Sequence, residues 1–214
     1  MTPGPAKQFE QNEALERAME LFWQNGYEAT SLTQLLEGMG IGRQSLYNTF
    51  GDKRQLFIAA LRHYFQGQMA LGAEALAAPL PPLDRIRRLF ETFAHRSEQN
   101  GACGCFLGNT LAEFGAKDDE VGEIVKEFYG RAQGHIADTL REAQEQGDLA
   151  PHLDPDATAR TLMAQSQGMA LMSKIFTVEE LLQSSLDNIF SLLTPANPPS
   201  SDPRRDAPDS SQSE

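Results

Sequence analysis

Cysteine is nearly absent from this chain of 214 residues, which contains only Cys103 and Cys105. Two cysteines with a single residue between them cannot link distant segments, so a secreted fold held together by disulfides is excluded. The sequence also has no run approaching the roughly 20 apolar residues of a membrane span, and residues 1–7 contain no apolar stretch typical of a signal peptide. These absences predict a cytoplasmic protein without a membrane segment.

Basic side chains are scarce as well, with 18 Lys and Arg against 30 Asp and Glu and a formal net charge of −12. Because cations that neutralise phosphates supply most non-specific affinity for DNA, this deficit argues at first against a nucleic-acid partner. However, most of the deficit lies after residue 76, and three basic residues accompany one acidic residue between Gly38 and Arg54. A DNA-binding surface there is expected to depend on base contacts and on two half-sites.

Catalytic motifs are missing too. The sequence contains no metal-binding histidine pair, no phosphate-binding glycine loop and no nucleophile elbow. We therefore expect neither an enzyme nor a bound cofactor or metal.

The feature that is present is a helix-turn-helix pattern between residues 31 and 53. Ser31 and Gln34 have the spacing of a capping box at the start of a first short helix. Gly40 stands where a left-handed residue ends that helix. A second helix is predicted from Arg43 to Phe50, followed by Gly51 as its stop and by a longer helix that Asp52 caps.

The outward-facing side chains of the second helix are suited to the major groove of DNA. Leu46 and Phe50, four residues apart, face inward and leave a polar surface on the other side. Arginine matches guanine edges, and glutamine and asparagine match adenine. The predicted base contacts are Arg43, Gln44 and Asn48, the predicted backbone contacts are Thr33, Tyr47 and Lys53, and Ser31, Ser45 and Thr49 complete the DNA-facing set.

Three segments together resemble the DNA-binding domain of the tetracycline-repressor (TetR) family of bacterial transcriptional regulators. They are residues 14–22, the link 25–31 with its Asn-Gly-Tyr and Thr-Ser pairs, and residues 45–53 with the pattern Leu-Tyr-x-x-Phe-x-x-Lys. The resemblance covers about the first quarter of the chain. It implies an all-helical homodimer with a ligand-sensing C-terminal domain, in which a small molecule relieves repression of a double-stranded DNA operator.

The predicted fold is all-α, with about nine helices. The boundaries that we expect are a helix-turn-helix DNA-binding domain at 1–52, a connecting helix at 53–77, and a ligand-binding and dimerisation domain at 78–193. Prolines 79, 81 and 82 break the connecting helix. A tail of Pro, Ser and Asp at 194–214 is expected to be disordered, as is the lead-in at 1–7.

The last two predicted helices are candidates for a dimer interface. One carries the small residues Ala164, Gly168 and Ala170, and both have more apolar surface than one helix face can bury. The alternative is that they only close the core of a monomer. A dimer is favoured because a helix-turn-helix with few cations needs two half-sites.

An effector cavity is predicted among side chains that combine apolar walls with two amides. Its candidate residues are Phe90, Phe93, Cys105, Phe106, Asn109, Phe128, Met163 and Gln167. Aromatic and methionine residues at helical spacing also suit an ordinary core, so this alternative stays open.

The two cysteines, Cys103 and Cys105, admit three interpretations. They are buried small hydrophobes, a thiol switch at a helix start, or metal ligands, which the scattered histidines disfavour. The competing function is a thiol-based redox enzyme or a small-molecule carrier whose N-terminal helices do not contact DNA. The sequence by itself names neither the operator nor the effector, and it does not separate repressor from activator.

Overall fold

The computed structural model describes residues 5–99 and 101–195. Within these residues the regular structure is entirely helical, with no strand. None of the helices described is long and apolar enough to cross a lipid bilayer. The elements in chain order are α1 (Pro5–Asn25), α2 (Leu32–Met39), α3 (Arg43–Phe50), α4 (Lys53–Leu76), α5 (Pro82–Gln99), α6 (Phe106–Phe114), a 3₁₀ turn (Gly115–Lys117), α7 (Asp119–Gln146), α8 (Pro155–Met172) and α9 (Val178–Leu193).

The predicted signals around the helix-turn-helix are confirmed. Ser31 and Gln34 form a reciprocal capping box at the start of α2, and Gly40 ends that helix with a left-handed φ of 68°. Asp52 and Gln55 form a second capping box at the start of α4. These caps supply hydrogen-bond partners to amide groups that have none within the helix, and they determine where α2 and α4 begin.

Two helix ends differ from the prediction. Helix α1 begins at Pro5, so the expected frayed lead-in is wrong for residues 5–7, because proline is well suited to a first helical turn. Helix α8 ends at Met172, and Phe176, which periodicity places on that helix, lies in the following turn. Residues 1–4 and 196–214 lie outside the described residues.

Two hydrophobic clusters hold the helices together. The first combines α1 to α4 with α6 and the first half of α7, so the packing crosses the boundary expected at residue 78. Aromatic rings form much of it, and Phe57 contacts both Phe106 and Phe114 across that boundary. The second cluster combines the end of α4 with α5, the second half of α7, α8 and α9. Helix α6 therefore belongs to the same core as the N-terminal helices.

Candidate nucleic-acid interface and ligand cavity

Helix α3 exposes one polar face and buries the opposite one. Leu46 is completely buried, whereas Tyr47 on the next position is 47% exposed. The other exposed side chains of this helix are those of Arg43, Gln44, Ser45, Asn48 and Thr49. Thr33 on α2 is exposed as well. The predicted DNA-facing residues of α3 thus share one accessible surface.

Two of these side chains form a pair on that surface. Gln44 Nε2 donates a hydrogen bond to Asn48 Oδ1 at 3.0 Å, across one helical turn. The bond aligns the two amides along α3 and leaves the Gln44 oxygen and the Asn48 amino group facing outward. Paired donors and acceptors of this kind match the edge of adenine in the major groove.

Ser31 and Lys53 are engaged within the protein. The Ser31 hydroxyl donates to Gln34 Oε1 and accepts from the Gln34 amide, so its oxygen serves the cap of α2. The Lys53 ammonium lies 4.3 Å from the centroid of the Tyr27 ring, a cation–π distance. Lys53 is half-buried at the start of α4. Both residues lie close to α3 in sequence, and both already have a partner within the protein.

Arg54 has internal partners that the local charge pattern did not reveal. Its guanidinium forms ion pairs with Asp118 at 2.6 Å and with Glu120 at 3.3 Å. The hydrogen bond from Arg54, followed by that from the Val121 amide, lowers the pKa of the Asp118 carboxyl below its ordinary value. Of the three basic residues between Gly38 and Arg54, one is therefore committed to the C-terminal part of the chain. The α3 surface is less positive than the sequence count indicates.

Glu113, near the end of α6, forms a second link to the N-terminal helices. Its carboxylate accepts hydrogen bonds from the backbone amides of Tyr27 and Glu28 at 3.0 and 2.8 Å. Beside it, the Phe114 ring lies 5.4 Å from the Tyr27 ring. The turn between α1 and α2 is thus held by α6. No local pattern in the sequence predicts this contact, because Glu28 and Glu113 are 85 positions apart.

A cavity that is partly open to solvent lies between α4, α5, α7 and α8. Its wall is mostly apolar, which is typical of a site for a small organic molecule. Six of the eight predicted effector residues line it: Phe90, Phe93, Cys105, Phe128, Met163 and Gln167.

Phe106 and Asn109 lie outside the cavity lining, contrary to the expectation. Phe106 is 1% exposed and turns its ring toward Phe57 and Tyr64 in the first hydrophobic cluster. The Asn109 amide donates to the Cys103 carbonyl and accepts from the Lys174 ammonium. Phe106 follows Cys105 directly and so points to a different side of α6, whereas Asn109, four residues after Cys105, has its amide engaged by Cys103 and Lys174.

Several polar residues of the cavity wall were not predicted. Gln68 lies on the buried side of α4, with 6% of its surface exposed, and Arg96, His135, Ser166 and Ser173 contribute from α5, α7 and α8. A glutamine four residues after Tyr64, within an apolar stripe, was the available signal for Gln68. The sequence pattern instead predicts a solvated face for Arg96, because Asp84, Glu91 and Glu98 are interspersed among the arginines of α5.

The two cysteines have different surroundings, and neither forms a disulfide. Cys103 is half-buried, and burial raises the pKa of its thiol despite an opposing effect of the Lys174 charge. Cys105 caps α6, where its Sγ accepts from the Gly108 amide at 3.4 Å and from the Tyr64 hydroxyl at 3.8 Å. Cys105 therefore faces both the helix start and the cavity, and Cys103 faces neither.

Two family models match the chain. Residues 14–60 match a model described as bacterial regulatory proteins, tetR family. Residues 82–189 match a model described as tetracyclin repressor-like, C-terminal domain. The first match contains the whole helix-turn-helix, and the second contains most of the residues that line the cavity.

Curated relatives and a solved structure agree with these matches. The chain is 32% identical to YezE of Bacillus subtilis, an uncharacterised HTH-type transcriptional regulator, over 89% of this chain and 99% of that protein. It is 28% identical to the HTH-type transcriptional repressor ComR of Escherichia coli, over 84% of this chain and 87% of that protein. A cysteine mutant of the regulator CifR, solved with 26-base-pair operator DNA, superimposes with a TM-score of 0.72 at 26% identity, covering 85% of this chain and 95% of CifR.

Proposed function

Because the chain belongs to the TetR family of bacterial transcriptional regulators, we propose that it is a repressor that binds a palindromic operator as a homodimer. A small lipophilic or electrophilic effector in the cavity releases it. The observation that carries the proposal is the polar, exposed face of α3 behind which Leu46 is fully buried. A regulator of this family acts on the chromosome, so we also propose that the protein works in the cytoplasm.

The DNA contacts that we propose follow the accessibility of the side chains. Arg43, Gln44 and Asn48 contact base edges, and Thr33 and Tyr47 contact the sugar-phosphate backbone. Ser45 and Thr49, exposed on the same face, supply further hydroxyl contacts. Lys53 and Ser31 contribute from the ends of their helices, while keeping their bonds to Tyr27 and Gln34.

A homodimer through α8 and α9 is supported by exposed apolar side chains on and beside these helices. They are Leu171, Met172, Ile175, Phe176 and Leu192, with exposed fractions from 43% to 80%. Exposed apolar side chains in such number are typical of a protein interface. In a two-fold dimer the α3 helices of both subunits reach successive major grooves, about 34–36 Å apart.

Release by an effector is supported by the position of α6. Its first turn borders the cavity through Cys105, and Glu113 near its end holds the turn before α2. A ligand that displaces the start of α6 therefore shifts a segment that also positions the DNA-binding domain. For an electrophilic effector, Cys105 is the better-placed nucleophile, because it lines the cavity.

The thiol interpretation has its own test. We expect Cys105→Ser to abolish release from DNA by an alkylating probe such as N-ethylmaleimide, and Cys103→Ser to leave that release intact. Mass spectrometry of the alkylated protein identifies the modified thiol. Equal responses of wild type and both variants would remove the switch interpretation.

Nothing in the comparisons supports the alternative of a thiol-based redox enzyme or a carrier. The relatives are named as transcriptional regulators or repressors, and the solved neighbour holds operator DNA. Among the described residues, no group of three or more histidine, cysteine or acidic side chains is arranged to hold a metal ion.

The function is tested by binding to DNA from upstream of the protein's own gene, measured by fluorescence anisotropy with a random duplex as reference. We expect wild type to prefer a palindromic site. Gln44→Ala should weaken binding to that site by about 1–3 kcal/mol, since one base contact is lost, and leave random-duplex binding unchanged.

The matched control is Gln146→Ala on α7. The Gln146 amide donates a hydrogen bond to Glu142 on the same helix and is not part of the α3 surface. It should bind both duplexes as wild type does. Equal weakening on both duplexes by Gln44→Ala would show that Gln44 contacts no base. Absence of any preferred site among genomic fragments would contradict the repressor proposal itself.

A further inference from the structure

The cavity wall carries positive charge and no negative charge among the described residues. Arg96 supplies this charge, and the residues lining the cavity include neither Asp nor Glu. This contrasts with the chain as a whole, whose formal net charge is −12. The cavity is therefore a local region of positive charge in an acidic protein.

Arg96 is placed to contact a bound molecule from the end of α5. It is half-buried and lines the same space as Tyr64 and Gln68 of α4. Burial raises the pKa of the Tyr64 phenol well above its ordinary value, while the Arg96 charge acts in the opposite direction. Arg96 already has an interaction within the protein, and the five N–H donors of a guanidinium allow a further one with a ligand.

Two amides add neutral hydrogen-bonding groups to this wall. Gln68 is 6% exposed, and the described residues give its side-chain amide no hydrogen-bond partner. The Gln167 amide on α8 also has no hydrogen-bond partner among the described residues. Its Oε1 lies so close to Gly108 that a Cβ built on Gly108 would be 2.5 Å from it. Buried polar groups are normally paired, so an amide that borders an apolar cavity without a partner indicates a contact with a ligand or water.

We propose that the effector is an amphipathic monocarboxylate, with an aromatic or aliphatic body in the apolar part of the cavity and its carboxylate at Arg96. Gln68 orients the second carboxylate oxygen or a neighbouring polar group. This inference rests on the proposed function, because it names the class of molecule that releases the repressor. Arginine recognises carboxylates with two parallel hydrogen bonds, a geometry that neutral ligands do not match.

Other charge types fit the wall less well. A cationic ligand would leave its charge buried beside Arg96 without a carboxylate to pair with, which is costly in an apolar cavity. A neutral apolar ligand would fill the space but leave the Gln68 amide without a partner. The charge and hydrogen-bonding groups of the cavity wall thus favour a carboxylate over a cation or a neutral ligand with the same apolar skeleton.

The test is isothermal titration of the full-length protein with three probes of one skeleton: 4-phenylbutyrate, 4-phenylbutanamide and 4-phenylbutylamine. We expect the carboxylate to bind at least about tenfold more tightly than the amide, the effect of one charged hydrogen-bonded contact. The amine should bind most weakly. Arg96→Gln should remove the preference for the carboxylate and leave binding of the amide within about twofold.

Two further variants separate a binding role from a structural one. Arg88→Gln removes an exposed arginine of the same helix that does not line the cavity, and it should bind all three probes as wild type does. Arg96→Lys keeps the charge and should retain part of the preference. Thermal unfolding of each variant, followed by circular dichroism, identifies any variant that fails to fold.

The carboxylate proposal is overturned if the three probes bind alike, if the amine binds best, if none binds, or if Arg96→Gln weakens all three equally. Operator binding, measured on the same preparations, keeps this result apart from the proposed function. A protein that binds its operator but shows no carboxylate preference remains a regulator with an effector of another class.

Discussion

Lys53 illustrates how one side chain can serve both the fold and the DNA. Its ammonium lies over the Tyr27 ring, and it stands at the start of α4, where a cation opposes the helix dipole. A helix start also binds phosphate well, because its amides point outward. The cation–π contact offsets part of the unfavourable position and keeps the ammonium beside the α3 surface.

We expect Lys53→Ala to weaken binding to the operator and to random DNA alike, because a phosphate contact carries no sequence information. The slope of log Kd against log salt concentration should decrease by about one per subunit. Tyr27→Leu, which removes only the ring, should keep that slope. An unchanged slope with a lower melting temperature for Lys53→Ala would assign Lys53 to the fold alone.

Helix α6 connects two parts of the molecule at the scale of a single element. Its N-terminal cap borders the cavity, and the Gly104 carbonyl just before it accepts a hydrogen bond from the Trp23 indole at 3.2 Å. Its last turn holds the backbone of the α1–α2 turn through Glu113. Both ends of a nine-residue helix are thus joined to the N-terminal domain, so a shift of α6 would reach the α1–α2 turn directly as well as through its aromatic contacts with α4.

The Glu113 contact predicts a measurable local effect. Glu113→Ala should accelerate hydrogen exchange at the Tyr27 and Glu28 amides, because both lose their acceptor, and should weaken operator binding severalfold. Nuclear magnetic resonance measures the exchange at each amide. Glu127→Ala, which removes an exposed α7 carboxylate paired with Arg131, should change neither. Unchanged exchange in Glu113→Ala would show that the carboxylate does not hold this turn in solution.

At the scale of the whole molecule, charge and assembly determine how the protein finds its operator. The chain is strongly acidic, and Arg54 is paired with Asp118 and Glu120, so few cations remain near α3. One α3 helix then supplies little non-specific affinity. In the homodimer that we propose, two copies contact both half-sites at once, which raises the effective concentration of the second α3 helix at its site.

Assembly is tested at the exposed apolar surface beside α8. Ile175, 80% exposed, should be covered by the second subunit, so Ile175→Glu is expected to give a monomer and to abolish tight operator binding. Sedimentation equilibrium measures the mass. Leu80→Glu, at an exposed leucine in the loop before α5, should leave the dimer intact. A dimeric Ile175→Glu protein with normal DNA binding would place the interface elsewhere.

The sequence by itself determined the helix-turn-helix, its caps and the exposed face of α3, because these depend on residues three or four positions apart. Capping boxes, left-handed glycines and the burial of Leu46 are local patterns that repeat with the helical period. For the same reason five of the predicted cavity residues on the long helices α5, α7 and α8 line the cavity, whereas Phe106 and Asn109 on the short α6 do not.

Only the tertiary structure decided which partners the charged and polar side chains meet across distant segments. Arg54 and Asp118 lie 64 residues apart, and Glu113 accepts hydrogen bonds from the Tyr27 and Glu28 amides in the α1–α2 turn. Neither contact produces a periodic pattern in the sequence. Gln68 and Arg96 become part of one cavity wall only because α4 and α5 pack against each other. Contacts between distant segments depend on how helices pack, and that packing decides the charge of the cavity and the cations left for DNA.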